Sequence, residues 1–278
     1  MTWKEVEGMF NRALAWSFSR KKLTFAVPVL LFCGLMTGGF QVWGSKVGDW
    51  QGISMLFLPI FFSASVLLSC GVVLIRVYHH EVKGLKVSYR NTLQISKQLM
   101  VEIAYLAVPA ILIYLVLWTL LGLFYLFKEL PLVGEVLGLI LSFGPFLLLM
   151  GSFALTLSSL LALFFATPLV AFRSSVQWDV LKQVFSRVKF NPFSNLILFF
   201  LSVLPLTVVT GLMLGAAFLT SKTYLSLDHP VARGIQWFFM MLPSSVLLAP
   251  AVIFFFNFAA EAHVLMVRRQ KEVACALP

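Results

Sequence analysis

A chain of 278 residues that is 60% hydrophobic and only 12% charged is not an ordinary soluble domain, in which about a quarter of residues carry charge. Its formal net charge of +10 would suit a nucleic-acid binder, but the 28 Phe lie in long apolar runs. They make a lipid-facing and helix-packing composition, so nucleic acid is not an expected partner. Cys33, Cys70 and Cys275 form no CxxC pair and cannot all bridge, so neither a disulfide framework nor a metal site is implied. Cys33 follows the bulky Phe32, and the apolar run continues past it. Both features argue against a cleaved lipoprotein signal, which needs a short apolar core and small residues at the cut.

In chain order, Trp3, Val6, Phe10, Ala13, Leu14 and Ser17 recur at three- and four-residue spacing. They predict an amphipathic helix, suited either to a membrane surface or to packing as a cytoplasmic helix. Leu23–Val42 is the first predicted span, long enough as a helix for a hydrocarbon core of about 30 Å. A short loop with Trp43 and Trp50 at its edges follows. Met55–Val77 is the second span, and Arg76–Lys97 is a basic connector. Val101–Phe127 is the third span, followed by a polar turn from Lys128 to Glu135. The apolar stretch Leu137–Ala171 is too long for one crossing. A break at Gly144–Pro145 would leave an interfacial piece and a fourth span of about Phe146–Val170.

The connector from Thr167 to Pro192 is basic and amphipathic. Val176, Val180, Leu181, Val184 and Val188 form its apolar stripe, while Arg173, Lys182, Arg187 and Lys189 supply an expected surface for anionic lipid headgroups. Asn195–Thr220 is the fifth span, Ser221–Arg233 a loop, and Ser244–Val267 the sixth span after a break at Pro243. Seventeen of the 21 Lys and Arg fall in the termini and alternate connectors. The positive-inside rule therefore places both termini in the cytoplasm.

Two spans match two others without gaps. Pro28, Gly34-Leu35-Met36 and Gly38 align with Pro205, Gly211-Leu212-Met213 and Gly215; Pro59, Val73-Leu74 and Glu81-Val82 align with Pro250, Val264-Leu265 and Glu272-Val273. The middle pair of spans fits less well. The expected fold is an all-α integral membrane protein, a single polytopic domain over 1–278 with six transmembrane helices. These form three parallel hairpin repeats, about 1–78, 79–171 and 172–270, joined by amphipathic cytoplasmic connectors. Gly34/Gly38 and Gly211/Gly215 have the small-xxx-small spacing that lets helix backbones approach, and are expected at packing contacts.

The connector has a further likeness. Pro168-Leu169-Val170 ends a span, Leu181-Lys182, Phe185, Val188-Lys189 and Asn191 mark a basic helix, and a new span follows at once. This resembles the six-span bacterial membrane-protein superfamily that includes the membrane domain of some glycerophosphodiester phosphodiesterases. The serine expected of that pattern is replaced by Val184, although Ser17 and Ser96 occupy the equivalent place in the other connectors. The resemblance implies the fold and a bacterial cytoplasmic (inner) membrane address, with no chemistry attached.

Intramembrane ionisable groups are default functional candidates because they are costly there. Asn257 and Glu261 are one turn apart on one face of the sixth span and form the expected polar site, for a proton, a cation or a polar headgroup. His263 lies about 200° around the helix from Glu261 and cannot share that site. The pair His79-His80 has no third ligand nearby in sequence, and HExxH, GxSxG and P-loop motifs are absent. No catalytic residue, metal or cofactor is expected. The sequence favours a non-enzymatic membrane protein organising lipids or a membrane-protein partner; the alternative is a transporter or channel for a lipid or small solute along the repeat axis.

Overall fold

A computed structural model of the chain describes residues 3–44, 49–85, 89–128, 143–172, 182, 184, 192–220 and 230–276. Among them the fold is all helical. In chain order the helices are α1 (Trp3–Ala15), α2 (Arg20–Gly44), α3 (Asp49–Val82), α4 (Tyr89–Ala104), α5 (Val108–Lys128), α6 (Gly144–Phe172), α7 (Pro192–Thr220) and α8 (Pro230–Ala276), with a 3-10 turn at Tyr105–Ala107. Six segments, one each in α2, α3, α6, α7 and α8 and one running from α4 through α5, are long and apolar enough to cross a membrane.

Two helices carry the core. Val72, Leu74 and Ile75 on α3 and Ala249, Ile253, Phe258 and Ala262 on α8 are completely buried. Around them α2 packs on both α3 and α8, α6 on α3, and α7 on α8. By contrast, α5 and α7 expose Leu112, Ile113, Leu212, Leu214 and Phe218. In a bilayer such faces meet acyl chains, which are as apolar as the side chains themselves.

Prolines do not interrupt these helices as they would in water. α8 runs unbroken through Pro243 and Pro250 for 47 residues, about 70 Å at 1.5 Å per residue. The expected break at Pro243 is therefore absent. Ser244 and Ser245, just after it, donate back to the carbonyls of Met240 and Met241 at 2.7 Å each. The carbonyl that loses its N–H donor to Pro243 is that of Phe239, and the helix continues past it with the serine hydroxyls bonded to the next two carbonyls.

The connector after the second span also differs from expectation. α3 stays helical past Arg76 to Val82 and ends at Gly84, whose φ of 68° is left-handed. There the amides of Gly84 and Leu85 bond the carbonyls of Glu81 and His80, both at 3.0 Å. A side chain at that φ would be strained, which is why glycine ends the helix. The third span is divided as well. Pro109 has no N–H to offer the carbonyl of Tyr105, and the chain tightens to a 3-10 turn at Tyr105–Ala107 before α5 begins. At Gly144–Pro145 the expected break coincides with the start of α6; the interfacial piece expected before it lies outside the described residues.

Candidate functional site

One end of the bundle gathers α1, the start of α2, the last turns of α3 and the stretch of α8 that carries Asn257 and Glu261, and a polar cluster is built there. α1 is held first by packing. Val6, Met9 and Ala13 are buried, and the Phe10 ring meets Phe254 and Phe258 of α8 at 4.9 and 6.3 Å between centroids. α1 is thus a packed helix within this chain, with Trp3, Trp16 and Phe18 left exposed beside it.

Beneath α1 lies Lys22, whose side chain is 0% exposed. An unpaired ammonium there would cost several kcal/mol, about the effective penalty for one buried ion. Lys22 Nζ instead makes an ion pair with Glu81 Oε2 at 2.7 Å and donates to Asn257 Oδ1 and the Trp16 carbonyl, each at 3.3 Å. It also sits 4.8 Å from the centre of the Tyr78 ring, a cation–π contact that gains from desolvation. Glu81 Oε1 accepts from Ser19 Oγ at 3.1 Å. Asn257 Nδ2 donates to the Ala13 carbonyl at 3.2 Å, and that carbonyl also accepts from Ser17 Oγ at 2.6 Å.

The second half of the cluster centres on Glu261. Its Oε1 accepts from the Tyr78 hydroxyl at 2.7 Å, and its Oε2 pairs with Arg12 Nη2 at 3.0 Å. Farther along α8, Arg269 Nη2 reaches Glu5 Oε2 at 2.9 Å. Arg12, Lys22, Glu81 and Glu261 balance in charge; three of the four carboxylate oxygens accept hydrogen bonds, and the fourth, Glu81 Oε2, is held by its ion pair with Lys22 alone. The consecutive helices α1, α2 and α3 are clasped to the distant α8 by this one network.

Asn257 and Glu261, singled out from the sequence, are therefore brought together in one cluster. His263 lies on another side of α8, with its ring 5.5 Å from that of Phe172. No spacing or motif marked Lys22, Glu81, Tyr78 or Arg12 as members. Lys21 and Lys22 look alike as span-flanking charges, yet Lys21 is exposed and Lys22 fully buried.

The four glycines divide. A Cβ on Gly34 would lie 2.7 Å from Met241 Sδ, and one on Gly38 would collide with the indole of Trp237; that indole donates its N–H to the Gly34 carbonyl at 3.0 Å. At Gly211 and Gly215 nothing lies within 4 Å of a Cβ, so the described residues give the second pair no packing partner. Gly71 is a close-approach position the sequence did not signal: a Cβ there would meet Phe256 of α8 and Thr167 of α6.

Of the expected anionic-lipid residues, Lys182 is exposed; Arg173, Arg187 and Lys189 lie outside the described residues. Of the accompanying apolar stripe, Val184 is half-buried and packs against the core. Away from the clasp, Phe57, Tyr114, Trp118 and Ser152 help line a crevice between α3, α5 and α6 of about 20 Å³. That is room for about one water. Among the described residues no group of three or more His, Cys, Asp and Glu side chains could hold a metal ion.

No protein-family model, no curated protein and no solved structure matches this chain.

Proposed function

We propose that the chain is a non-enzymatic, multi-pass protein of the bacterial cytoplasmic membrane, with both termini cytoplasmic, that organises anionic lipids or a membrane-protein partner at its basic face. The observation that carries this is the internal satisfaction of the clasp. Lys22, Glu81, Asn257 and Glu261 spend their hydrogen-bonding capacity on one another, on Tyr78 and Arg12, and on α1. A transport path for a charged solute needs sites that bind and release, and these groups are fastened to the protein instead. Three hairpin repeats fit the same picture, since α2 packs on α3, α5 on α6 and α7 on α8. The likeness to the six-span superfamily is proposed on the connector pattern alone.

Reconstitution of the full chain into vesicles of phosphatidylethanolamine and phosphatidylglycerol tests the reading. The expected result is no proton or cation flux and no lipid scrambling above that of empty vesicles. Purified protein should retain phosphatidylglycerol over phosphatidylcholine, and Lys182→Glu/Arg187→Glu/Lys189→Glu should reduce that retention. Flux that disappears in Glu261→Gln or Asn257→Ala would establish the transporter alternative.

A further inference from the structure

The cytoplasmic end of α3 has a second polar assembly, on a side of the helix that the clasp does not use. Arg76, His79, His80 and Lys83 occupy positions i, i+3, i+4 and i+7, which places them along one face. Arg76 is partly buried where three helices meet. Its Nε donates to the Ala171 carbonyl in the last turn of α6 at 3.2 Å, and its Nη1 to Ser96 Oγ on α4 at 3.1 Å. Both acceptors are neutral, and among the described residues no carboxylate pairs with this guanidinium. That contrasts with Lys22, Arg12, Arg268 and Arg269, each of which has a carboxylate partner.

The two histidines fit the same seam. His79 packs its ring on Phe172 at 5.0 Å and lies 6.4 Å from the His80 ring. A carbonyl only accepts, so His80 Nδ1–H is the donor in its 2.7 Å bond to the Arg76 carbonyl, which leaves Nε2 of His80 for another partner. The C-terminal dipole of α6 already attracts cations, but it amounts to roughly half a negative charge. Arg76 and Lys83 supply two positive charges, so a net positive seam remains. Arg76 still has guanidinium N–H groups beyond the two it uses, in the planar fork that suits phosphate oxygens. From Phe172 the chain passes directly to Arg173 and the basic connector.

We propose that Arg76, His79, His80 and Lys83 form a phosphate-headgroup site that takes the phosphodiester of an anionic glycerolipid at the α3–α6 seam. The site rests on the lipid-organising function proposed above and gives it a specific ligand contact. Arg76 holds the phosphate through its free N–H groups, Lys83 adds charge at the headgroup level, and a neutral His79 can add one ring N–H.

The test uses the full-length protein in neutral detergent, titrated with phosphatidylglycerol, phosphatidylcholine or inorganic phosphate, with retained lipid read by native mass spectrometry. Phosphatidylglycerol should bind in preference to phosphatidylcholine, and millimolar phosphate should not displace it. Lys83→Gln should weaken binding about fivefold, the effect of about 1 kcal/mol per surface charge. Arg76→Lys, which keeps the charge but loses the fork, should weaken it further. Because Arg76 ties three helices, its variants can fail to fold. The His79→Gln/His80→Gln/Lys83→Gln variant leaves both Arg76 bonds in place and carries the test in that case; it should bind at least as weakly as Lys83→Gln. Displacement by phosphate at equal potency would overturn the lipid in favour of a free anion. Unchanged lipid retention in the α3 variants, with loss in Lys182→Glu/Arg187→Glu/Lys189→Glu, would overturn this site while leaving the wider function standing. If the wild-type protein retains no phosphatidylglycerol, both fall.

Discussion

Lys22 carries a charge to a place with no exposed surface, and what surrounds it decides whether that charge stabilises or destabilises the fold. Removing one member of a buried pair leaves the other uncompensated, which costs about 3–5 kcal/mol. Lys22→Met should therefore lower thermal stability in detergent sharply, because Glu81 keeps a charge facing only Ser19 Oγ. Replacing both, as Lys22→Met/Glu81→Gln, should recover most of the loss, and a double variant no better than the single one would show that the pair does not act as a unit. The glycines give a second comparison at this scale. Gly38→Leu must displace Trp237, whereas Gly211→Leu meets open space, so the first should be much the more destabilising in thermal unfolding. Equal effects would mean that Gly211 packs against something outside the described residues. Phe199, in the fifth apolar run, is buried and meets Phe164 at 5.7 Å, whereas the adjacent Phe200 is exposed. In a chain this apolar, hydrophobicity identifies the spans but cannot say which Phe faces lipid and which faces a neighbour. The same ambiguity hid Gly71, which has no small residue four positions away to announce a close approach.

At the scale of single elements, α1 shows how a polar network and an apolar face divide the work. Of its buried residues Val6 and Ala13 were legible from three- and four-residue spacing and Met9 was not, while Trp3 and Leu14 of the expected stripe are exposed; nor could the spacing say whether the buried face met lipid or protein. The partner surface on α8, Phe254, Phe258 and Glu261, is about 250 residues away in sequence. If packing and ion pairing both hold α1, Phe10→Ala/Glu261→Gln should speed hydrogen exchange in α1 while leaving α3 near Val72–Ile75 protected. Exchange that rises equally in both would mean that α1 cannot open without the core. Proline was misleading at this scale for a definite reason. In water an interior proline costs a helix about 3 kcal/mol or more, so Pro243 looks like an end. In a bundle the alternative to helix is an unsatisfied backbone in hydrocarbon, and the helix is the cheaper state. The opposite error came at Arg76–Lys97, where charge suggested a loop although α3 continues to Val82. Those charges lie at the membrane boundary, where a helix can carry them into water.

For the molecule as a whole, the ends of the spans are not equivalent. The start of α2, the last turns of α3 and the Asn257 and Glu261 stretch of α8 meet in one polar clasp, and Arg76 binds the end of α6 beside it. Helices that alternate in direction across a bilayer must place these ends on one side, and that side receives the 17 basic residues counted from the sequence, against four on the other. A span count of five or seven would divide those charges between the two faces. Topology is therefore the property most directly open to measurement. With Cys275 replaced by Ser, the native thiols left are Cys33 and Cys70, both buried, so a background for single-cysteine labelling is available. On intact cells a membrane-impermeant maleimide should modify cysteines introduced at Lys46, Lys128 and Asp228 and should leave those at Arg90 and Lys182 unmodified until the membrane is opened. Labelling from outside at Arg90 or Lys182 would invert the molecule. The phosphate-headgroup site at Arg76 would then face the outer leaflet, and the positive-inside asymmetry, which acts on short loops such as these, would have failed in a chain where it is unusually strong.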